Sequence, residues 1–125
     1  MTENTRVLVV DDEKKICEDL KAYLTYHGHE VEIALGGEEG LEKLKSFRPH
    51  VVLLDVRMPG ISGLEALARM REFDPSVRIT MVTAVHEESV AKMAVQEGAD
   101  NYITKPIDLE YLNTCIMLQY IDSVG

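Results

Sequence analysis

Short β-branched apolar runs alternate along this chain with longer stretches in which apolar residues recur every three to four positions. The first kind predicts strands over 6–10, 30–34, 51–54, 78–82 and 101–104; the second predicts helices near 14–27, 37–47, 63–73, 87–98 and 109–122. Ile16, Leu20 and Leu24 fall at i, i+4 and i+8, and Leu41, Leu44 and Phe47 repeat the one-sided spacing, so each helix has a face to bury. Val7-Leu8-Val9-Val10 and Val51-Val52-Leu53-Leu54 are continuous rather than alternating, the pattern of strands covered on both faces of a parallel sheet. Gly28, Pro49, Pro75 and Gly98 stand where the periodic segments must stop. The pattern describes an α/β, three-layer (βα)5 doubly wound domain, one open five-stranded parallel sheet whose right-handed crossovers place helices on both faces.

Composition narrows the possibilities. At 125 residues and 14.1 kDa, 46% hydrophobic and 28% charged, the chain suits a single domain over 1–125, large enough to need no metal or disulfide staple. A formal charge of −9, from 22 acidic and 13 basic residues, argues against direct nucleic-acid binding and against an anionic membrane surface. No apolar run approaches the roughly 20 residues that span a bilayer. The polar opening residues 1–6 precede an apolar run of only four, so a soluble cytoplasmic protein without a secretory signal is expected. Cys17 and Cys115, far apart and outside metal-ligand spacing, read as buried free thiols. His27 and His29, flanking Gly28 in an expected turn, read as solvated.

In doubly wound sheets, ligands bind beyond the carboxyl ends of the strands. There the sequence places Asp11 and Asp12 after the first strand, Asp55 after the third, Thr83 after the fourth and Lys105 after the fifth. Carboxylates gathered at one edge repel one another, and such a cluster is tolerable when a hard cation sits within it. An all-oxygen set without Cys or His favours Mg²⁺ over zinc. The bland alternative makes Asp11-Asp12-Glu13 a helix N-cap and first-turn acidic cluster. That reading suffices for Glu13, but it leaves the arrival of Asp55 and Lys105 at the same rim unexplained. With a cation neutralising phosphoryl oxygens, the Asp55 carboxylate is placed to attack phosphorus and form an aspartyl phosphate. Lys105 supplies a second positive centre, and Thr83 with the small Ala84 offers a hydroxyl and an unobstructed backbone N–H.

Four motifs sit at these strand ends: Val-Asp-Asp at 10–12, Leu-Asp-Val-Arg-Met-Pro-Gly-Ile-Ser-Gly at 54–63, Val-Thr-Ala at 82–84 and Gly-Ala-Asp-Asn-Tyr-Ile-Thr-Lys-Pro at 98–106. Together and in this order they resemble, over nearly the whole chain, the receiver domain of bacterial two-component response regulators. The resemblance implies a flavodoxin-like receiver fold. It also implies Mg²⁺-dependent phosphoryl transfer to Asp55 from a phosphohistidine on a sensor histidine kinase or histidine phosphotransfer protein. By the same likeness, Asp12 and Asp55 ligate Mg²⁺ directly, Asp11 reaches it through water, and the backbone carbonyl of Arg57 completes the protein's share. Lys105 pairs with the phosphoryl group and precedes a cis bond to Pro106. Thr83 and Ala84 contact the phosphoryl group, and Thr83 and Tyr102 form a switch pair that alters the face made by helix four, strand five and helix five. Arg57 and Val85 occupy positions that tune phosphoryl lifetime in the family.

After Lys105 there is no Lys or Arg. Leu109, Leu112, Ile116 and Tyr120 give the last helix a core-facing stripe, while Tyr111, Cys115 and Leu118, beside Met117 and Ile121, form a second one. The second stripe is expected to meet a partner, another copy of the chain, or an effector domain for which this receiver is the N-terminal module. Two other functions compete with the signalling receiver. One is a Mg²⁺-dependent phosphohydrolase of the haloacid dehalogenase type, disfavoured because Arg57 stands where such enzymes carry a second acid. The other is a phosphorylation-independent interaction module, disfavoured by the intact Asp11, Asp12, Asp55, Thr83 and Lys105 set.

Overall fold

The computed structural model describes residues 4–124, with side chains through Asp122; the opening residues 1–3 lie outside the described residues. Five strands, β1 (Arg6–Val10), β2 (Glu30–Ala34), β3 (Val51–Asp55), β4 (Arg78–Ala84) and β5 (Asn101–Lys105), alternate with helices α1 (Lys14–Tyr26), α2 (Gly37–Phe47), α3 (Gly63–Phe73), α4 (Glu88–Gln96) and α5 (Leu109–Val124). All neighbouring strands are parallel, in the order β2-β1-β3-β4-β5. Strand order therefore reverses between β1 and β3, the switch point of the flavodoxin-like arrangement.

Strand alternation sorts the core into two layers. Val7 and Val9 of β1, Val51 and Leu53 of β3, Val82 and Ile103 pack on one face against Cys17, Leu20 and Leu24 of α1 and Leu112 and Ile116 of α5. Leu8, Val10, Val52, Leu54, Ile79 and Met81 point to the opposite face, against Leu44, Ala66, Leu67, Met70, Ala91 and Ala94 of α2, α3 and α4. Both faces of β1 and β3 are closed to solvent, which is why their sequences are unbroken apolar runs.

Several boundaries differ from the sequence expectation, and the ladder explains them. β3 includes Asp55, β4 runs to Ala84 and β5 to Lys105, because Asp55 pairs with Val82, Thr83 with Thr104 and Ala84 with Lys105. A short 3₁₀ turn, Val85–Glu87, intervenes before α4, so that helix starts at Glu88 and stops at Gln96. α1 ends at Tyr26 with His27 as its cap.

Other departures lie in side chains. His29 is buried rather than solvated: its Nε2 is 2.6 Å from Asn113 Oδ1, tying the α1–β2 turn to α5. Cys17 is buried as expected, but Cys115 is only half-buried. On α5, Leu112 and Ile116 are buried, Leu109 packs at the core edge, and the Tyr120 and His50 rings meet near-perpendicular with centroids 4.8 Å apart. The inward face also buries Gln119, whose amide donates to Thr80 Oγ1 at 2.9 Å and to Asn101 Oδ1 at 3.4 Å. Tyr111, Met117, Leu118 and Ile121 remain more than half exposed. Among the described residues no helix is long and apolar enough to cross a membrane.

Candidate functional site

The carboxyl edge of the sheet brings Asp11, Asp12, Asp55, Thr83, Ala84 and Lys105 to one rim. Each arrives by a backbone constraint. The N–H of Asp11 donates to the Ala34 carbonyl at 3.0 Å, extending β1 past its last paired residue. The N–H of Val56 donates to the Val82 carbonyl at 3.0 Å, fixing the exit from β3. The chain then turns tightly into α3. Gly63 donates to the Val56 carbonyl at 3.0 Å, and a Cβ there would stand 2.3 Å from the Asp55 carbonyl oxygen. Ser62 caps the helix, its hydroxyl accepting from the Glu65 N–H at 3.2 Å. The Lys105–Pro106 bond is cis, as the resemblance implied.

Asp11 is buried; its Oδ1 accepts from the Glu13 N–H at 2.9 Å and its Oδ2 from the Lys105 ammonium at 3.1 Å. Asp55 is 7% exposed. Its Oδ1 accepts from the Arg57 N–H at 3.3 Å, and its Oδ2 lies 3.5 Å from Lys105 Nζ. Asp12 faces solvent beside them. One carboxylate oxygen from each of Asp11, Asp12 and Asp55 lies within 4.8 Å of the others. Asp12 and Asp55 border a cleft of about 400 Å³ whose wall continues through Arg57, Thr83, Ala84, Glu87 and Lys105.

Electrostatics mark Asp55 as the unusual member. Burial, and then the charge of Asp11, push its carboxyl from 3.8 up to about 6, against the opposing pull of Lys105 and the Arg57 N–H. For Lys105, burial works against the charged form, but the hydrogen bond to Asp11 and the charges of Asp55 and Asp11 outweigh it, and its pKa rises. Behind the cluster, burial and the Asp11 charge lift the Cys17 thiol to about 12. Its Sγ donates to the Asp11 carbonyl at 3.2 Å, so it is a structural group and not a nucleophile.

The Thr83 hydroxyl is buried and donates to the Ala84 carbonyl at 3.2 Å. Tyr102 is half-buried, with its hydroxyl donating to Glu88 Oε2 at 2.6 Å; that bond is the first cause of its raised pKa. Val85 is 63% exposed.

Two acidic residues behave differently from the sequence reading. Glu13 occupies the N-cap position of α1 but makes no side-chain cap; its Oε1 lies 3.4 Å from Lys105 Nζ, so the ammonium draws it across instead. Glu87 carries no sequence signal of a place at the site. It accepts from Arg57 Nε at 2.6 Å, joining the loop after Asp55 to the turn after Thr83, and no spacing rule connects residues so placed.

The site has clear relatives. A family profile described as the response regulator receiver domain matches residues 7–117. "Response regulator MprA" of Mycolicibacterium vanbaalenii is 39% identical over 107 residues, which are 86% of this chain and 46% of that protein. "Chemotaxis protein CheY" of Treponema pallidum is 40% identical over 106 residues, 82% of this chain and 74% of that one. The chain thus spans about half the length of the MprA regulators it matches. Among solved structures, a CheY-like receiver domain protein from Methanospirillum hungatei superposes with a TM-score of 0.88 at 33% identity, covering 97% of both chains. NtrX from Brucella abortus reaches 0.91 at 26% identity, over 97% of this chain and 28% of that one. The fold, the acidic rim and these likenesses agree: the chain belongs to the response regulator receiver domain family, whose function is that of phosphoacceptor in two-component signalling.

Proposed function

We propose that Asp55 is the phosphoacceptor. The observation that carries this reading is its placement: a buried carboxylate at the switch-point edge of the sheet, 3.5 Å from Lys105 Nζ, within reach of a cleft lined by Thr83 and Ala84. An Asp55 oxygen attacks phosphorus, the P–N bond of a phosphohistidine breaks, and the imidazole nitrogen leaves with the bonding pair and takes up a proton. The partner is a sensor histidine kinase or a histidine phosphotransfer protein, in the cytoplasm.

The donor set fits a hard divalent cation, since the clustered oxygens come from carboxylates alone. Asp12 and Asp55 would hold Mg²⁺ directly, Asp11 through water, with the Arg57 carbonyl as a further ligand. When bound, the ion offsets the mutual repulsion of the carboxylates and the charge of the incoming phosphoryl oxygens. Lys105, whose ammonium already lies 3.5 Å from Asp55, pairs with the phosphoryl group. The Thr83 hydroxyl leaves the Ala84 carbonyl for a phosphoryl oxygen, and the Ala84 N–H donates to another. Tyr102 then turns inward from Glu88, changing the α4–β5–α5 face. That face, with Tyr111 and Leu118 exposed on α5, passes the signal to a second copy or to an effector domain of a longer regulator.

The test is incubation with acetyl phosphate and Mg²⁺ followed by intact-mass measurement. One phosphoryl adduct, absent in Asp55→Asn, supports the reading. No adduct in the wild type contradicts it, and sustained turnover of unrelated phosphate esters would instead make the protein a hydrolase.

A further inference from the structure

The cleft has a wall whose side chains, Arg57 and Glu87, the transfer reaction above does not use. Arg57, two residues after Asp55, keeps its backbone N–H on the Asp55 carboxylate while its guanidinium turns away to Glu87, Nε to Oε1, at 2.6 Å. The pair is lopsided: the Arg57 side chain is 77% exposed and that of Glu87 only 14%. An exposed arginine ordinarily samples many rotamers. Here a carboxylate set in the Val85–Glu87 turn holds it, so Glu87 is the anchor and Arg57 the movable partner. The His86 imidazole also lies near Glu87, Nε2 at 3.7 Å from Oε1 and itself mostly exposed, a weaker substitute for a guanidinium.

Resting on the assignment of Asp55 as phosphoacceptor, the geometry points to Glu87 as a positioning residue that holds Arg57 off the phosphoacceptor until an anion arrives to compete for it. A phosphoryl group carries about −1.5 to −2 charge and three acceptor oxygens, against one negative charge on Glu87. A planar guanidinium also suits phosphoryl oxygens in a bidentate pair better than a single Nε contact does. Arg57 therefore exchanges Glu87 for the phosphoryl group, and the exchange releases the turn that leads into α4.

The rate of adduct formation over a range of acetyl phosphate concentrations, read by intact mass, tests this in wild type, Glu87→Gln, Arg57→Gln and the double variant. Freeing Arg57 by Glu87→Gln lowers the half-saturating donor concentration about 2- to 5-fold, the worth of a partly exposed ion pair, with the maximal rate near that of wild type. In the Arg57→Gln background the same change has no effect. Glu87→Asp, which keeps the charge and shortens the reach, behaves like Glu87→Gln. An equal shift in both backgrounds would reduce Glu87 to a bare repelling charge and overturn the inference, as would no shift in either. Absence of any wild-type adduct would bring down the phosphoacceptor assignment itself; adduct at Asp55 without coupling between Arg57 and Glu87 would bring down the inference alone.

Discussion

The Lys105 ammonium lies 3.5 Å from the Asp55 carboxylate, held there by a β4–β5 ladder that continues to the Ala84–Lys105 pair at the very rim. The same ammonium donates to Asp11 at 3.1 Å, so one cation offsets two buried carboxylates. Lys105→Met removes that cation without opening a large cavity. Adduct formation from acetyl phosphate should slow on the order of 10²-fold, the usual cost of deleting one charged donor aimed at developing negative charge. Initial rates by intact mass check this.

Asp55→Asn should stabilise the metal-free protein at neutral pH. The carboxyl titrates in the fold at about 6 against an ordinary 3.8, so the fold disfavours its ionised form. That penalty is absent below about pH 3.8, grows as pH rises from there to about 6, and is complete above. Removing the charge is worth roughly 1–3 kcal/mol at pH 7 and nothing near pH 3.5. Urea denaturation of both proteins at the two pH values measures the difference.

Mg²⁺ should raise the melting temperature of the wild type in proportion to the logarithm of its concentration once the site fills, because an ion that binds only the folded state stabilises it by mass action. Asp12→Asn removes an exposed carboxylate of the cluster and should flatten that response while leaving the metal-free melting temperature within a few degrees. Scanning calorimetry with and without a chelator reads both effects.

Most of this architecture was legible because parallel strands and their covering helices write their burial directly into the chain. The unbroken run of Val7 to Val10 is buried on both faces, and Asp55 stands where that kind of run stops. What escaped was set by tertiary pairing. Gln119 reads as a polar interruption of an apolar helix, yet Thr80 and Asn101 meet it in the core and satisfy its amide. His29 reads as a turn residue, and only the approach of α5 places Asn113 against it. Glu13 fits an N-cap by position, but Lys105 attracts its carboxylate from the far end of the sequence.

Gly63→Ala should disturb the site through the backbone. Its Cβ would meet the Asp55 carbonyl oxygen at 2.3 Å and the Val56 Cα at 2.8 Å, neither of which can rotate aside. A loss of about 1–3 kcal/mol in stability is expected from such overpacking, with slower phosphorylation as the end of β3 that carries Asp55 shifts. Gly36→Ala, where a Cβ meets nothing within 4 Å, serves as the control in the same denaturation series.

Phosphorylation should break the Tyr102–Glu88 hydrogen bond, which at 2.6 Å holds the ring outward in the structure described. The ring resonances of Tyr102 should move on addition of phosphodonor, and Glu88→Gln should shift them part of the way without it. Unchanged resonances in the fully phosphorylated protein would remove Tyr102 from the switch.

Of the three carboxylates at the rim, Asp55 alone is expected to take the phosphoryl group. Borohydride reduces an aspartyl phosphate to homoserine, so reduction after reaction with acetyl phosphate and Mg²⁺, followed by peptide mapping, reads the acceptor directly. The expected result is homoserine at position 55, with Asp11 and Asp12 intact. Homoserine at 11 or 12 with Asp55 unchanged would overturn the assignment of Asp55 as the acceptor.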